Sequence, residues 1–171
     1  MLKRIDRMES DLIRDFSMNL ITKDELAQRY PEPITQEYVI ECLRSALQER
    51  DSLAVTRSMT LAYKFGFLDE HMLPVLEQLL VAGWHTRNED IAHELQRLAS
   101  PTSMEPLYYA ITTKFGYRDN DELFSFPVQC VWALGALNTS ESREKIKQLA
   151  ASDVKPIRKE ARHQMKMWQI T

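Results

Sequence analysis

Leu73-Pro74-Val75-Leu76-Glu77-Gln78-Leu79-Leu80, followed after a turn by Glu89-Asp90-Ile91-Ala92-His93-Glu94-Leu95, carries two apolar stripes. Leu73, Leu76, Leu79 and Leu80 stand three or four residues apart, the period of one helix face. Ile91, Leu95 and Leu98 repeat that period on the second element. Working outward, the second stripe returns as Val55/Met59/Ala62, as Phe126/Cys130/Ala133 and in part as Ile157/Ala161. Its starting positions, 55, 91, 126 and 157, lie 36, 35 and 31 residues apart. The first stripe returns as Ile40, Leu43, Ala46 and Leu47, and as Ile146, Leu149 and Ala150. An ordinary bundle has no reason to keep that spacing. A stack of helical hairpins does, because each pair must offer the next the same apolar face. The pattern predicts helices near 36–49, 52–65, 70–82, 88–99, 103–115, 123–137, 140–151 and 154–169.

The rest of the chain agrees with an all-α reading. It has 171 residues, of which 44% are apolar, 4 are Gly and 7 are Pro, so a loop-rich or disordered chain is excluded. The length suits one domain spanning 1–171, with an N-terminal helical cap over 1–34 and repeats over 35–171. In the cap, Leu2, Ile5, Met8, Leu12, Phe16 and Leu20 predict a single helix over 2–20. Thr22-Lys23-Asp24-Glu25 is a capping box that opens a short second helix. Pro74, Pro101, Pro106, Pro127 and Pro156 fall at helix starts. Gly66, Gly83 and Gly116 are expected to close helices in the left-handed conformation. Gly135 lies inside a helix, which points to close helix approach. A second regularity, Lys64-Phe65-Gly66-Phe67 against Lys114-Phe115-Gly116-Tyr117, spans three helices rather than two and leaves a three-helix register open.

Nothing at the N-terminus resembles a signal peptide, and no apolar run reaches the ~20 residues that span a bilayer. Cys42 and Cys130 sit in apolar helical stretches, as buried reduced thiols do. A cytoplasmic protein with no membrane partner, no cofactor and no metal is expected. His71, His85, His93 and His163 are dispersed. An acid–base site can be drawn around His85, Glu89 and Asp90, but no phosphate loop, GxSxG or HExxH is present, and no enzyme activity is expected.

Charge is uneven along the chain. Residues 1–50 carry 8 bases and 10 acids, residues 51–122 carry 6 and 11, and residues 123–171 carry 8 and 4. The acids gather in turns: Glu49 and Asp51, Glu89 and Asp90, then Asp119, Asp121 and Glu122, then Asp153. The ordinary reading is capping, with Asp51, Asp90 and Asp121 at helix N-termini. The functional reading is an acidic ridge that attracts a basic partner. On the second helix of each pair, the positions two and six beyond the first core residue should face away from the core. These are Arg57 and Leu61, His93 and Arg97, Val128 and Trp132, Lys159 and His163. Trp132 and Arg97 are residue types that anchor interfaces, although the ordinary reading of Trp132 is packing against the neighbouring repeat, since Trp is usually core. Trp84 is expected to be exposed. Lys155, Arg158, Lys159, Arg162, His163 and Lys166 make the last helix basic, either as a solvated end cap or as a phosphate-contacting face.

The paired helices resemble HEAT repeats over roughly 36–170. Cys130-Val131-Trp132-Ala133-Leu134-Gly135-Ala136-Leu137 and Val154-Lys155-Pro156-Ile157-Arg158-Lys159-Glu160-Ala161 carry the likeness best. Ile157-Arg158 followed by Ala161 matches the family's start of a second helix. The first repeat departs from it, since Thr56 follows Val55 and Arg57 comes one place late. Trp84-His85, Asp90-Ile91-Ala92, Leu107-Tyr108-Tyr109-Ala110 and the Ile157-Arg158 tail further resemble small bacterial HEAT-repeat proteins similar to immunity proteins of polymorphic toxin systems, contact-dependent or Rhs-type. The resemblance implies a right-handed α-solenoid of about four hairpins and a non-catalytic binding role; together with the acidic turns it leads to the expectation of an immunity protein whose partner is a basic nuclease-type toxin domain. It carries over no site residue. The surface reading supplies the candidates: Trp84, Glu89, Asp90, Arg97, Tyr117, Asp119, Asp121, Glu122 and Trp132. The alternatives are a nucleic-acid-binding or base-repair HEAT protein using the basic last helix, or a scaffold adaptor or lyase-type HEAT protein.

Overall fold

The computed structural model describes residues 3–113 and 124–169, and every regular element among them is helical. The ten α-helices of the described residues are α1 (Arg7–Ser17), α2 (Lys23–Arg29), α3 (Gln36–Glu49), α4 (Ser52–Phe65), α5 (Leu73–Leu80), α6 (Asn88–Leu98), α7 (Met104–Thr112), α8 (Ser125–Leu137), α9 (Ser140–Leu149) and α10 (Lys155–Gln169). The expected all-α class holds, and α3 and α4 keep their predicted limits. The chain divides into two compact units, Met1–Val75 and Leu76–Thr171, with the division inside α5.

In the first unit, α1 is shorter than the expected 2–20. Asp6 caps it by accepting from the Glu9 N–H (2.8 Å), and the Glu9 carboxylate accepts from the Asp6 N–H (2.6 Å). This reciprocal pair satisfies two backbone donors and fixes the helix start, so Ile5 lies outside it. Met8 and Leu20 are exposed, while Leu12, Ile13 and Phe16 are buried. The second capping box forms as predicted, Thr22 with Glu25. Helices α3 and α4 pack as a hairpin, with Leu43 and Ala46 buried on one side and Val55, Met59 and Ala62 on the other.

A polar node lies under α1. Glu9 is buried and accepts from the Tyr38 hydroxyl (3.3 Å), which also pairs with the Tyr30 hydroxyl (3.0 Å). Burial raises both tyrosine hydroxyls above their ordinary range and pushes the Cys42 thiol up to about 11. Cys42 and Cys130 are both free and buried, as expected.

Helix α1 also lies against α4. Arg57 Nε donates to Ser10 Oγ (3.0 Å), the Phe16 and Phe65 rings meet edge to face at 5.9 Å, and Lys64 donates to Asn19 (3.0 Å). Leu61 is fully buried. This corrects the expectation that Arg57 and Leu61 face outward: the position is on the predicted side of α4, but α1 covers that side.

In the second unit, α8 touches α6, α7, α9 and α10. The first helices are linked to one another by polar contacts. Glu77 of α5 accepts from Thr102 and Ser103 at the entry to α7 (2.7 and 2.8 Å), and Lys145 of α9 pairs with Glu105 of α7 (3.1 Å) and sits over the Tyr108 ring at 4.1 Å. Gly135 of α8 receives the buried Gln164 of α10. A Cβ there would lie 2.2 Å from Gln164 Oε1, so the close approach read from the mid-helix glycine is present.

Helix ends rely little on glycine. Gly66 closes α4 at φ 74° as expected, but Arg50, Ala99 and Asn138 take the left-handed cap of α3, α6 and α8. Gly83 has no positive φ, which corrects its expected role. Buried side chains close α5 instead. Asn88 Nδ2 donates to the Leu80 and Ala82 carbonyls (both 2.9 Å), and His85 Nε2 donates to the Leu79 carbonyl (2.9 Å). Gly116 lies outside the described residues.

Candidate partner-binding face

The outward positions of α6, α8 and α10 come together on one face. Gln129 of α8 donates to Gln96 of α6 (2.7 Å), and the Trp132 ring of α8 lies 5.5 Å from the His163 ring of α10. Trp132 is half-buried. Trp132 and His163 each stand six residues beyond the first core residue of their helix, Phe126 and Ile157, so burial of that stripe turns them away from the core.

On α6, Glu94 is buried, with its carboxylate 2.8 Å from Arg97 Nε and 3.8 Å from His93 Nδ1. The carboxylate holds the Arg97 side chain while half of it stays exposed. On α10, Lys159, Arg162, His163 and Lys166 are exposed. The basic residues of α10 do not all act alike. Arg158 donates to the Ser152 carbonyl (2.6 Å) and Arg162 to the Ala150 carbonyl (3.1 Å). Both hold carbonyls of the turn between α9 and α10, a structural role that the charge count alone does not reveal.

The acidic turns are engaged locally. Asp51 caps α4 by accepting from the Leu53 and Ala54 N–H groups (3.0 Å each), and Glu49 pairs with Arg4. Asp90 stands 3.0 Å from Arg87 Nε, and Glu89 accepts from Ser125 (3.1 Å). Tyr117, Asp119, Asp121 and Glu122 lie outside the described residues. Trp84 is half-buried against the His85 ring, 5.0 Å away, rather than exposed as expected. His85 is buried, and its Nδ1 accepts from the Arg87 N–H (3.1 Å). With both ring nitrogens committed to backbone groups, His85 shapes the α5–α6 turn, and the acid–base site sketched around it has no free ring nitrogen.

Sequence reasoning named Arg97 and Trp132 but missed what makes them neighbours of a common surface, the Gln96–Gln129 bond and the His163 ring. It also missed Glu94, whose place between His93 and Arg97 in the sequence was the available signal. Among the described residues no group of His, Cys, Asp and Glu could hold a metal ion, and no helix is long and apolar enough to cross a membrane. Comparison of the chain with family models, curated proteins and solved structures returned no match.

Proposed function

We propose that the chain is a non-catalytic protein-binding module built from HEAT-like hairpins. The observation that carries this reading is the shared face of α6, α8 and α10, the second helices of their pairs, with Trp132 at its centre. A half-buried Trp on α8 and a carboxylate-held Arg on the adjoining α6 are residue types that anchor interfaces. A right-handed solenoid of four such hairpins accounts for the repeated core positions and for α8 touching the helices before and after it.

The resemblance extends the proposal to an immunity protein that neutralises a basic nuclease-type toxin domain. In that reading the turns carrying Glu89, Asp90, Asp119, Asp121 and Glu122 steer the toxin, and Trp84, Arg97, Tyr117 and Trp132 anchor it. The test is to express the chain with the toxin domain encoded in the neighbouring reading frame. Expected are rescue of growth and an isolable complex. Changing Asp119, Asp121 and Glu122 together to Ser should slow association and flatten its salt dependence. A neighbouring frame with no toxin, or an unchanged association rate, defeats the immunity reading. The exposed lysines of α10 favour a second reading, nucleic-acid binding, which a flat RNA and DNA titration at low salt removes.

A further inference from the structure

We propose that residues 3–5 form a strap over α3, latched by the Lys3–Glu32 and Arg4–Glu49 ion pairs, which opens at Asp6 while the rest of the first unit stays folded and so uncovers the Glu9–Tyr38–Cys42 node. The inference goes beyond the binding-module reading and does not depend on it.

Both ends of the segment touch the node. At Asp6 the main-chain N–H donates to one Glu9 carboxylate oxygen (2.6 Å), and the other accepts from the Tyr38 hydroxyl (3.3 Å). At Lys3 the ammonium lies 5.6 Å from the centre of the Tyr38 ring. Arg4 and Ile5, between those ends, therefore run beside the Glu9–Tyr38 bond. Cys42 stands one helical turn beyond Tyr38 on the same side of α3 and is 1% exposed. Burial raises its thiol, on which the charges of Glu9, Glu32 and Lys3 also act. Lys3 and Arg4 are adjacent in the chain but reach opposite ends of α3. Lys3 pairs with Glu32, four residues before the helix, and Arg4 Nε donates to Glu49, its last residue (2.6 Å).

The strap is fastened differently from the helix that follows it. Buried Leu12, Ile13 and Phe16 fix α1. Among the described residues, no main-chain to main-chain hydrogen bond involves residues 3–5, and Ile5 is only half-buried. The two ion pairs lie at the surface: Arg4 is 70% exposed, and Lys3 and Glu32 are 36% and 38% exposed. Such pairs hold weakly and are screened by salt. A segment fastened this way opens locally well before its unit unfolds. The hinge falls at Asp6, because the Asp6–Glu9 capping box fastens the chain from that residue onward. Opening lifts Lys3 off the Tyr38 ring and admits water and small solutes to Glu9 and Cys42, so ionic strength sets how often the node is accessible.

The test uses the full chain with Cys130→Ala, which leaves Cys42 as the one thiol, and follows its alkylation by uncharged iodoacetamide with mass spectrometry. Expected is slow labelling whose rate scarcely changes at low urea, since opening three residues exposes little surface. Raising sodium chloride to about 1 M should speed it about threefold or more. Lys3→Glu with Arg4→Glu should speed it about tenfold at low salt, and adding Glu32→Lys with Glu49→Lys should bring it back to within about threefold of the parent. Circular dichroism confirms that the variants are folded, and the salt series on the parent chain carries the test where they are not. A rate that neither salt nor the reversals change, a steep urea dependence, failure of the fourfold variant to restore protection, or no labelling under any condition overturns the proposal.

Discussion

Leu61 of α4 and Trp132 of α8 each stand six residues beyond the first core residue of their helix, Val55 and Phe126. Leu61 is sealed under α1. Trp132 is half-open and touches an exposed histidine. The register is the same; the covering is not. One face of such a helix is fixed by its hairpin partner, and the other becomes core or interface according to whether another helix lies on it. In the first unit α1 turns that position into core. In the second unit it stays available.

The sharpest way to break this contrast is to truncate both residues. Leu61→Ala should cost about 2–5 kcal/mol, since a buried leucine loses its contacts and leaves a cavity. Trp132→Ala should cost less than half as much in chemical denaturation. Equal losses of stability would show that the two faces are alike.

Asn88→Ala probes the second unit where it is closed. It strips the Leu80 and Ala82 carbonyls of a buried donor, at a cost of about 1–3 kcal/mol. A change near zero in thermal unfolding would mean that water replaces the side chain freely.

The polar node makes the first unit sensitive to alkali. Burial places the Cys42 thiol at about 11 against an ordinary 9.0 and raises the Tyr30 and Tyr38 hydroxyls. A folded value above the unfolded one adds stability that is complete below the unfolded value and lost as pH rises through the folded one. Denaturant midpoints should therefore fall as pH climbs from 9 through 11 and further as the tyrosines ionise. Tyr38→Phe should flatten the tyrosine part of that fall. A wild-type midpoint that does not move between pH 7 and pH 11 contradicts the burial of this node.

The smallest effect expected is a gain. Ala99 closes α6 at φ 48°, where a Cβ is strained. Ala99→Gly should raise stability by about 0.5–1 kcal/mol, and Gly66→Ala, in open space but at φ 74°, should lower it by a similar amount. Calorimetry on the two single variants checks both signs.

These contrasts also mark what the sequence could tell. Apolar period located α3 and α4 to the residue, because the burial of one helix against the next in a hairpin is a local demand. Gly135 was readable because a helix interior has few other uses for glycine. The start of α1 escaped because Asp6 and Glu9 form a capping box inside an apolar stripe that continues past it in sequence. Leu61 escaped because no pattern within α4 records which helix will cover it. The acidic turns were legible in part: Asp51 caps α4 as its place before the helix implies, whereas the Asp90–Arg87 and Glu89–Ser125 contacts are specified by no spacing. The same holds for Arg158 and Arg162, which count as surface charge until their bonds to the Ser152 and Ala150 carbonyls are seen.

The three-helix width of the open face has a kinetic consequence. Helices of 11, 13 and 15 residues, at about 9 Å spacing and about 1.5 Å per residue, offer roughly 500 Å². A standard interface buries about 800 Å² on each side. An occupant confined to this face therefore exchanges quickly. A long-lived inhibitory complex has to spread onto the adjoining turns, so residence time, more than equilibrium occupancy, reports when those turns are engaged.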